Sequence, residues 1–173
     1  KYGKAIDLAG SVSLSSKSKN FSNPDYIDAD LNKLNIFLSE MDYILNDVAI
    51  PDSLSIYKSI TTSGKASGNL QLLSVNDFSL NVDDVFEAKA TGTISNITKQ
   101  DILTYDLNFT KLNADIRQLP IPSNDKLAID SLGVISYIGS VSGNPNDVNV
   151  KGKLSSDIGD LDTDITLGFS QGI

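Results

Sequence analysis

The chain repeats itself, and that restricts its fold more than any other feature. Asp30-Leu31-Asn32 returns as Asp106-Leu107-Asn108, and Ile50-Pro51 returns as Ile121-Pro122. Gly64-Lys65-Ala66-Ser67-Gly68 returns as Gly139-Ser140-Val141-Ser142-Gly143. Gly-x-apolar-Ser marks stand at Gly10-Ser11-Val12-Ser13, Gly92-Thr93-Ile94-Ser95 and Gly152-Lys153-Leu154-Ser155. Each copy reads in one order: strand, short helical turn, Ile-Pro, Gly-x-x-Ser-Gly, further strands. Repeats bury a core against their neighbours, which favours an elongated scaffold over an enclosed site. Residues 1–26 read as the end of a preceding repeat, 27–97 as copy one and 103–169 as copy two, in one continuous elongated unit.

Within each copy the apolar residues alternate. Ile6, Leu8, Val12 and Leu14 share one parity against Asp7, Ser11, Ser13 and Ser15, the pattern of a strand with one apolar face. Ile27, Ala29 and Leu31 alternate likewise; Leu34, Ile36 and Leu38 resume after a one-residue slip, which fits a bulge. Phe78, Leu80 and Val82 follow, then the run Phe86, Ala88, Ala90, Gly92 and Ile94. Tyr105, Leu107 and Phe109 open the second copy, and Val148, Val150, Gly152 and Leu154 precede Ile165, Leu167 and Phe169. Turns are expected at Asp83-Asp84, Asn144 to Asp147 and Gly159-Asp160. Leu38, Met41, Ile44/Leu45 and Val48 fall at helical spacing before Pro51. Leu112, Ile116 and Leu119 do the same before Pro120. The expected fold is mostly β: repeated antiparallel strands in a curled, elongated open sheet, with one short helix per repeat. Gly10, Gly92 and Gly152 lie on the apolar parity, either to let the sheet curl into a smooth trough or as ordinary bulges.

Composition removes several functional classes. The chain has no Cys and no His, so it lacks thiolate nucleophiles, zinc-thiolate sites and histidine bases. Its net charge of −8 disfavours nucleic acid and anionic membrane surfaces. No apolar run reaches the roughly 20 residues a spanning helix needs. The start has no signal-peptide h-region, and both ends read as cut from a longer polypeptide. The acidic groups Asp28/Asp30, Asp83-Asp84 and Asp157/Asp160/Asp162/Asp164 read as solvated strand faces and turns rather than catalytic pairs. The last group lacks the Gly and the bidentate Glu of an EF-hand loop. Gly64 to Gly68 is too short for a Walker A loop, and its copy replaces Lys65 by Ser140. Asn96-Ile97-Thr98 and Asn108-Phe109-Thr110 are sequons with meaning only in a eukaryotic secretory setting. Neither a metal, a cofactor nor a catalytic residue is expected.

The repeated order resembles the AsmA-like/TamB family of large envelope proteins of Gram-negative bacteria. The resemblance lies in Leu31 to Leu38, Met41 to Pro51, Gly64 to Gly68 and Phe86 to Ile94. In the second copy it lies in Leu107 to Pro122, Gly139 to Gly143 and Val148 to Leu154. It implies a periplasmic segment of a parent anchored in the inner membrane, within a long curled sheet whose apolar groove carries phospholipid toward the outer membrane. It also implies support of outer-membrane protein assembly, with a barrel protein as partner through other parts of the parent.

On this reading the partners are phospholipid acyl chains. The groove candidates are Ile6, Leu8, Phe78, Leu80, Val82, Ile94, Leu107, Phe109, Ile165, Leu167 and Phe169. Two other classes compete: an adhesin-like surface or extracellular β-repeat module binding a protein or glycan, with closed sandwich cores, and a fragment of a carbohydrate-active enzyme.

Overall fold

A computed structural model of the chain describes residues 5–17, 24–38, 56–120 and 130–168. They hold nine strands: β1 Ile6–Ser15, β2 Tyr26–Phe37, β3 Ser59–Gly68, β4 Leu72–Val82, β5 Phe86–Ser95, β6 Thr104–Asp115, β7 Val134–Gly143, β8 Asp147–Ser156 and β9 Gly159–Gly168. All nine form a single antiparallel sheet in chain order, with β1 and β9 at its two edges. Each strand pairs with its neighbour in sequence, so the sheet is a meander; tight turns close β3–β4, β4–β5, β7–β8 and β8–β9, and longer connections join the other pairs.

The turns are set by short polar side chains. The Asn69 Oδ1 accepts the N–H groups of Gln71 and Leu72, both at 2.9 Å. Asn144 repeats the device on Asn146 at 2.8 Å and Asp147 at 3.1 Å. An Asn that bonds backbone two and three residues on imitates a turn, so β3–β4 and β7–β8 close in the same way. Asp83 and Asp84 take φ of 46° and 60°, as the expected turn requires. The β8–β9 turn differs from expectation. It falls on Asp157 and Ile158, with Ser156 paired to Gly159 and Asp160 already in the ladder.

Mid-sheet, the register slips. Ala9 faces Lys33 while Gly10 faces Leu31, so β2 carries Asn32 as an extra residue. In β6, Lys111 faces Lys89 and Phe109 faces Ala90, leaving Thr110 over. In β4 the slip surrounds Asp77, whose φ is 53°. Such bulges bend and twist a strand locally. The slip after Leu31 is the one expected from the sequence. Gly10 and Gly92 stand beside slips, whereas Gly152 lies in an unbroken ladder.

Register also refines the repeat. Leu31 faces Gly64 and Leu34 faces Thr62; Phe109 faces Gly139 and Leu112 faces Tyr137. The structural counterpart of Leu31 is therefore Phe109, not the Leu107 that the shared Asp-Leu-Asn tripeptide suggests.

Two expectations are corrected. The sheet is open and uncurled: its strands form one hairpin meander whose edges β1 and β9 do not meet. The helix expected in the second copy is also absent. Leu112 is in β6, and Ile116–Gln118 is a single 3-10 turn capped by the Asp115 carboxylate. Its apolar spacing of three to four comes from a strand end followed by a turn. The first-copy helix, from Leu38 to Pro51, lies almost wholly outside the described residues.

A small core closes one end of the strands. Leu38, Tyr57 and Val85 are buried together, with Ile36, Ile60, Val82 and Leu119 against them. Asp83 ties this end together, accepting the Lys58 N–H and the Ser59 N–H and hydroxyl. Burial pushes its carboxyl up, but those donors outweigh burial and hold it below its ordinary 3.8. A carboxyl depressed in the fold stabilises above its unfolded pKa, and loses that contribution as pH falls through the folded value. Asp83→Ala is therefore expected to cost about 1–3 kcal/mol in urea unfolding at pH 7. The gap from wild type narrows below pH 3.8.

Candidate functional site

Residues that face each other across an antiparallel pair share one side of the sheet. Following the register from strand to strand therefore sorts every side chain onto a face. Val12, Ala29, Ala66, Val75, Gly92, Leu107, Val141, Val150 and Ile165 form one unbroken row across all nine strands. Leu14, Ile27, Gly68, Leu73, Ile94, Tyr105, Gly143, Val148 and Leu167 form the next. On the far side of the slip runs Leu8, Leu34, Thr62, Leu80, Ala88, Leu112, Tyr137, Leu154 and Leu161. One face of the sheet is apolar from edge to edge.

The opposite face is mostly polar, with Leu72, Val134 and Ile138 as exposed apolar residues on it. One of its rows reads Ser13, Asp28, Ser67, Ser74, Thr93, Asp106, Ser142, Asn149 and Thr166. Ion pairs cross the strands there, Lys33 to Asp7 at 3.1 Å, Lys65 to Asp30 at 3.2 Å and Lys151 to Asp164 at 3.1 Å. Glu87 takes Lys111 at 2.6 Å, and that hydrogen bond holds its carboxyl below the ordinary range. Exposed pairs of this kind contribute about 0–1 kcal/mol each, so their main effect is to keep this face in water.

No second layer covers the apolar face among the described residues. On the edge strands Leu8 is 65% exposed and Val12 69%, with Ile6, Leu14, Ile165 and Leu167 exposed as well, whereas the mid-sheet Ala88, Ala90 and Tyr137 are buried among their neighbours on this face. Between β2 and β6 this face sinks into a hollow of about 430 Å³. Small residues make its floor: Ala29, Gly64, Ala66 and Ala90. Leu31, Val75, Phe78, Ile94, Leu107 and Phe109 rise around them, and Thr62, Ser63 and Lys65 complete the lining. The volume falls in the range of small-molecule sites. No carboxylate lines it, and the Lys65 ammonium is drawn to Asp30 on the polar face. Such a lining takes up apolar matter and holds no acid–base pair.

Of the eleven groove candidates, Phe78, Ile94, Leu107 and Phe109 line the hollow. Leu8 borders a smaller depression with Gly10, Val12, Ala29 and Leu31. Ile6, Leu80, Ile165 and Leu167 share the apolar face but stand away from the hollow. Val82 packs against the core at the strand ends. Phe169 lies outside the described residues. The small floor residues were missed by a search for large apolar side chains. Their signal was the recurrence of Gly and Ala at apolar parity in adjacent strands.

Compared with protein-family models, curated proteins and solved structures, the chain matches none.

An open face makes a direct prediction about stability. Leu8→Ala and Val12→Ala are expected to cost less than about 1 kcal/mol each in denaturant unfolding. In a sealed core, Leu8→Ala would cost about 2–5 kcal/mol.

Proposed function

We propose that this chain is a non-enzymatic scaffold section whose apolar face holds lipid acyl chains. The observation that carries the reading is the apolar face with a hollow in it, backed by a mostly polar face. A contiguous exposed apolar surface of this extent marks a partner or ligand site. Acyl methylenes laid against Leu31, Phe78, Leu107 and Phe109 leave water, contributing roughly 25 cal/mol per Å² of apolar area buried. A headgroup stays at the rim, in solvent. The mechanism is passive: the sheet lowers the cost of holding a chain outside a bilayer and forms no covalent bond.

The setting follows from the resemblance to AsmA-like/TamB proteins. On that reading the chain is one section of a periplasmic bridge from an inner-membrane anchor, and phospholipid passes along it toward the outer membrane. A barrel partner would engage other parts of the parent. An open sheet with a local hollow departs from the long curled groove of that family, so the section acts as a resting site along the path. The polar rows on the opposite face favour a second reading, a surface β-repeat module that binds a protein or glycan there.

A fluorescent long-chain fatty-acid analogue separates the two. Saturable binding to the purified chain is expected, weakened about tenfold or more by Leu107→Asp. Substitution of Asp106 and Asn149 on the polar face leaves it unchanged. Absence of binding to the wild-type chain would overturn the lipid reading.

A further inference from the structure

The hollow ends at Phe109, although the apolar face does not. Beyond it, Gly139 on β7 faces Gly152 on β8, and neither raises a side chain from the floor. The space above this glycine pair is filled from the side. Tyr137, 5% exposed, donates its phenol hydroxyl to the Ser140 carbonyl at 2.8 Å and the Lys151 carbonyl at 3.1 Å. Its ring meets Phe109 edge-on, with centroids 6.4 Å apart. A Cβ added to Gly139 would come within 2.7 Å of the Tyr137 hydroxyl, 2.4 Å of the Lys151 carbonyl and 2.5 Å of the Gly152 Cα. With φ of 156° at Gly139 as well, only glycine lets the ring lie down here. On the far side, Val150 and Ile165 continue the apolar row, and Ile165 is exposed again.

We infer that Tyr137 is an end stop that sets the length of apolar chain the hollow accepts. The inference rests on the lipid reading above and deepens it. From β2 to β6 there are four strand spacings of about 4.8 Å, roughly 19 Å in all. A zigzag of carbon–carbon bonds near 1.5 Å covers that distance with roughly fifteen carbons. A chain of that length, laid across the strands, ends against the Tyr137 ring where it meets Phe109. Removing the ring joins the hollow to Val141, Val150 and Ile165 and adds up to three more spacings, about 14 Å. Tyr137 is thus a specificity-determining residue that closes the hollow from behind Phe109.

The test is displacement of a fluorescent fatty-acid analogue by straight-chain fatty acids of increasing length. For the wild-type chain, affinity should rise by up to about fourfold per methylene, then level off near fifteen carbons. In Tyr137→Ala the levelling point should move to longer chains, while affinity for the shortest chains stays the same. Tyr137→Phe keeps the ring but frees it from both carbonyls. It should let longer chains gain affinity to a smaller extent, and it carries the test if circular dichroism shows Tyr137→Ala unfolded. An unchanged levelling point in the folded variants overturns the stop and leaves the hollow as a lipid site. If the wild-type chain binds no analogue, or no fatty acid of any length displaces it, the lipid reading fails and the stop with it.

Discussion

One constraint holds the two faces of this sheet apart: every extra residue in a strand must be absorbed where its neighbours can accept it. Side chains in a strand alternate with period two, so an uncompensated insertion sends all later residues to the wrong face. Asn32, Asp77 and Thr110 are such insertions, in β2, β4 and β6. Each lies mid-strand, in register with the slips of its neighbours, and the partner strands carry Gly10, Gly64 and Gly139 beside them. Apolar residues before and after every slip therefore stay on one side. Without that compensation the rows through Val12 and Leu8 would point to opposite faces, and there would be no apolar surface to hollow out.

This arrangement has an energetic consequence. A single sheet cannot bury its apolar face against itself, and among the described residues the clustered core is Leu38, Tyr57 and Val85 with their neighbours at one end of the strands. Stability comes chiefly from the ladder, the turn caps at Asn69, Asn144 and Asp83, and the partial burial of close-set rows. Apolar matter bound on the open face adds to that stability by linkage, since the unfolded chain has no such face to offer. On the proposed lipid reading, holding lipid and holding the fold would be the same act of covering one surface.

Much of the strand pattern was legible from alternation alone. The run Phe86 to Ile94, the slip between Leu31 and Leu34 and the turn at Asn144 to Asp147 all follow from local sequence, because period two and turn chemistry act over a few residues. The slips at Asp77 and Thr110 leave the same mark, a change of apolar parity from Val75 to Phe78 and from Phe109 to Leu112, and the second was obscured because Leu112 also fits helical spacing with Ile116 and Leu119. Leu112, Ile116 and Leu119 imitate a helix because a strand end followed by a 3-10 turn also spaces apolar residues by three and four. The tripeptide Asp-Leu-Asn matched in letters but not in register, since ladders align residues by pairing and not by identity. Of the hollow, the large residues Phe78, Ile94, Leu107 and Phe109 could be named in advance. The floor of Ala and Gly, and the position of Tyr137 over Gly139, needed the register of three strands at once.

The openness of the apolar face underlies every functional statement about the chain, and the absence of native cysteine allows it to be measured cleanly. Single cysteines at Val12 and Ile165 at the edges of the apolar face, Ser13 and Thr166 on the polar face and Ala88, which lies between Leu80 and Leu112 in mid-sheet and is 2% exposed, would be timed with a small thiol reagent under native conditions. The account predicts that Val12→Cys and Ile165→Cys react at rates close to Ser13→Cys and Thr166→Cys, and far faster than Ala88→Cys. Protection of Val12→Cys and Ile165→Cys to the level of Ala88→Cys would show that face to be sealed, and would contradict it.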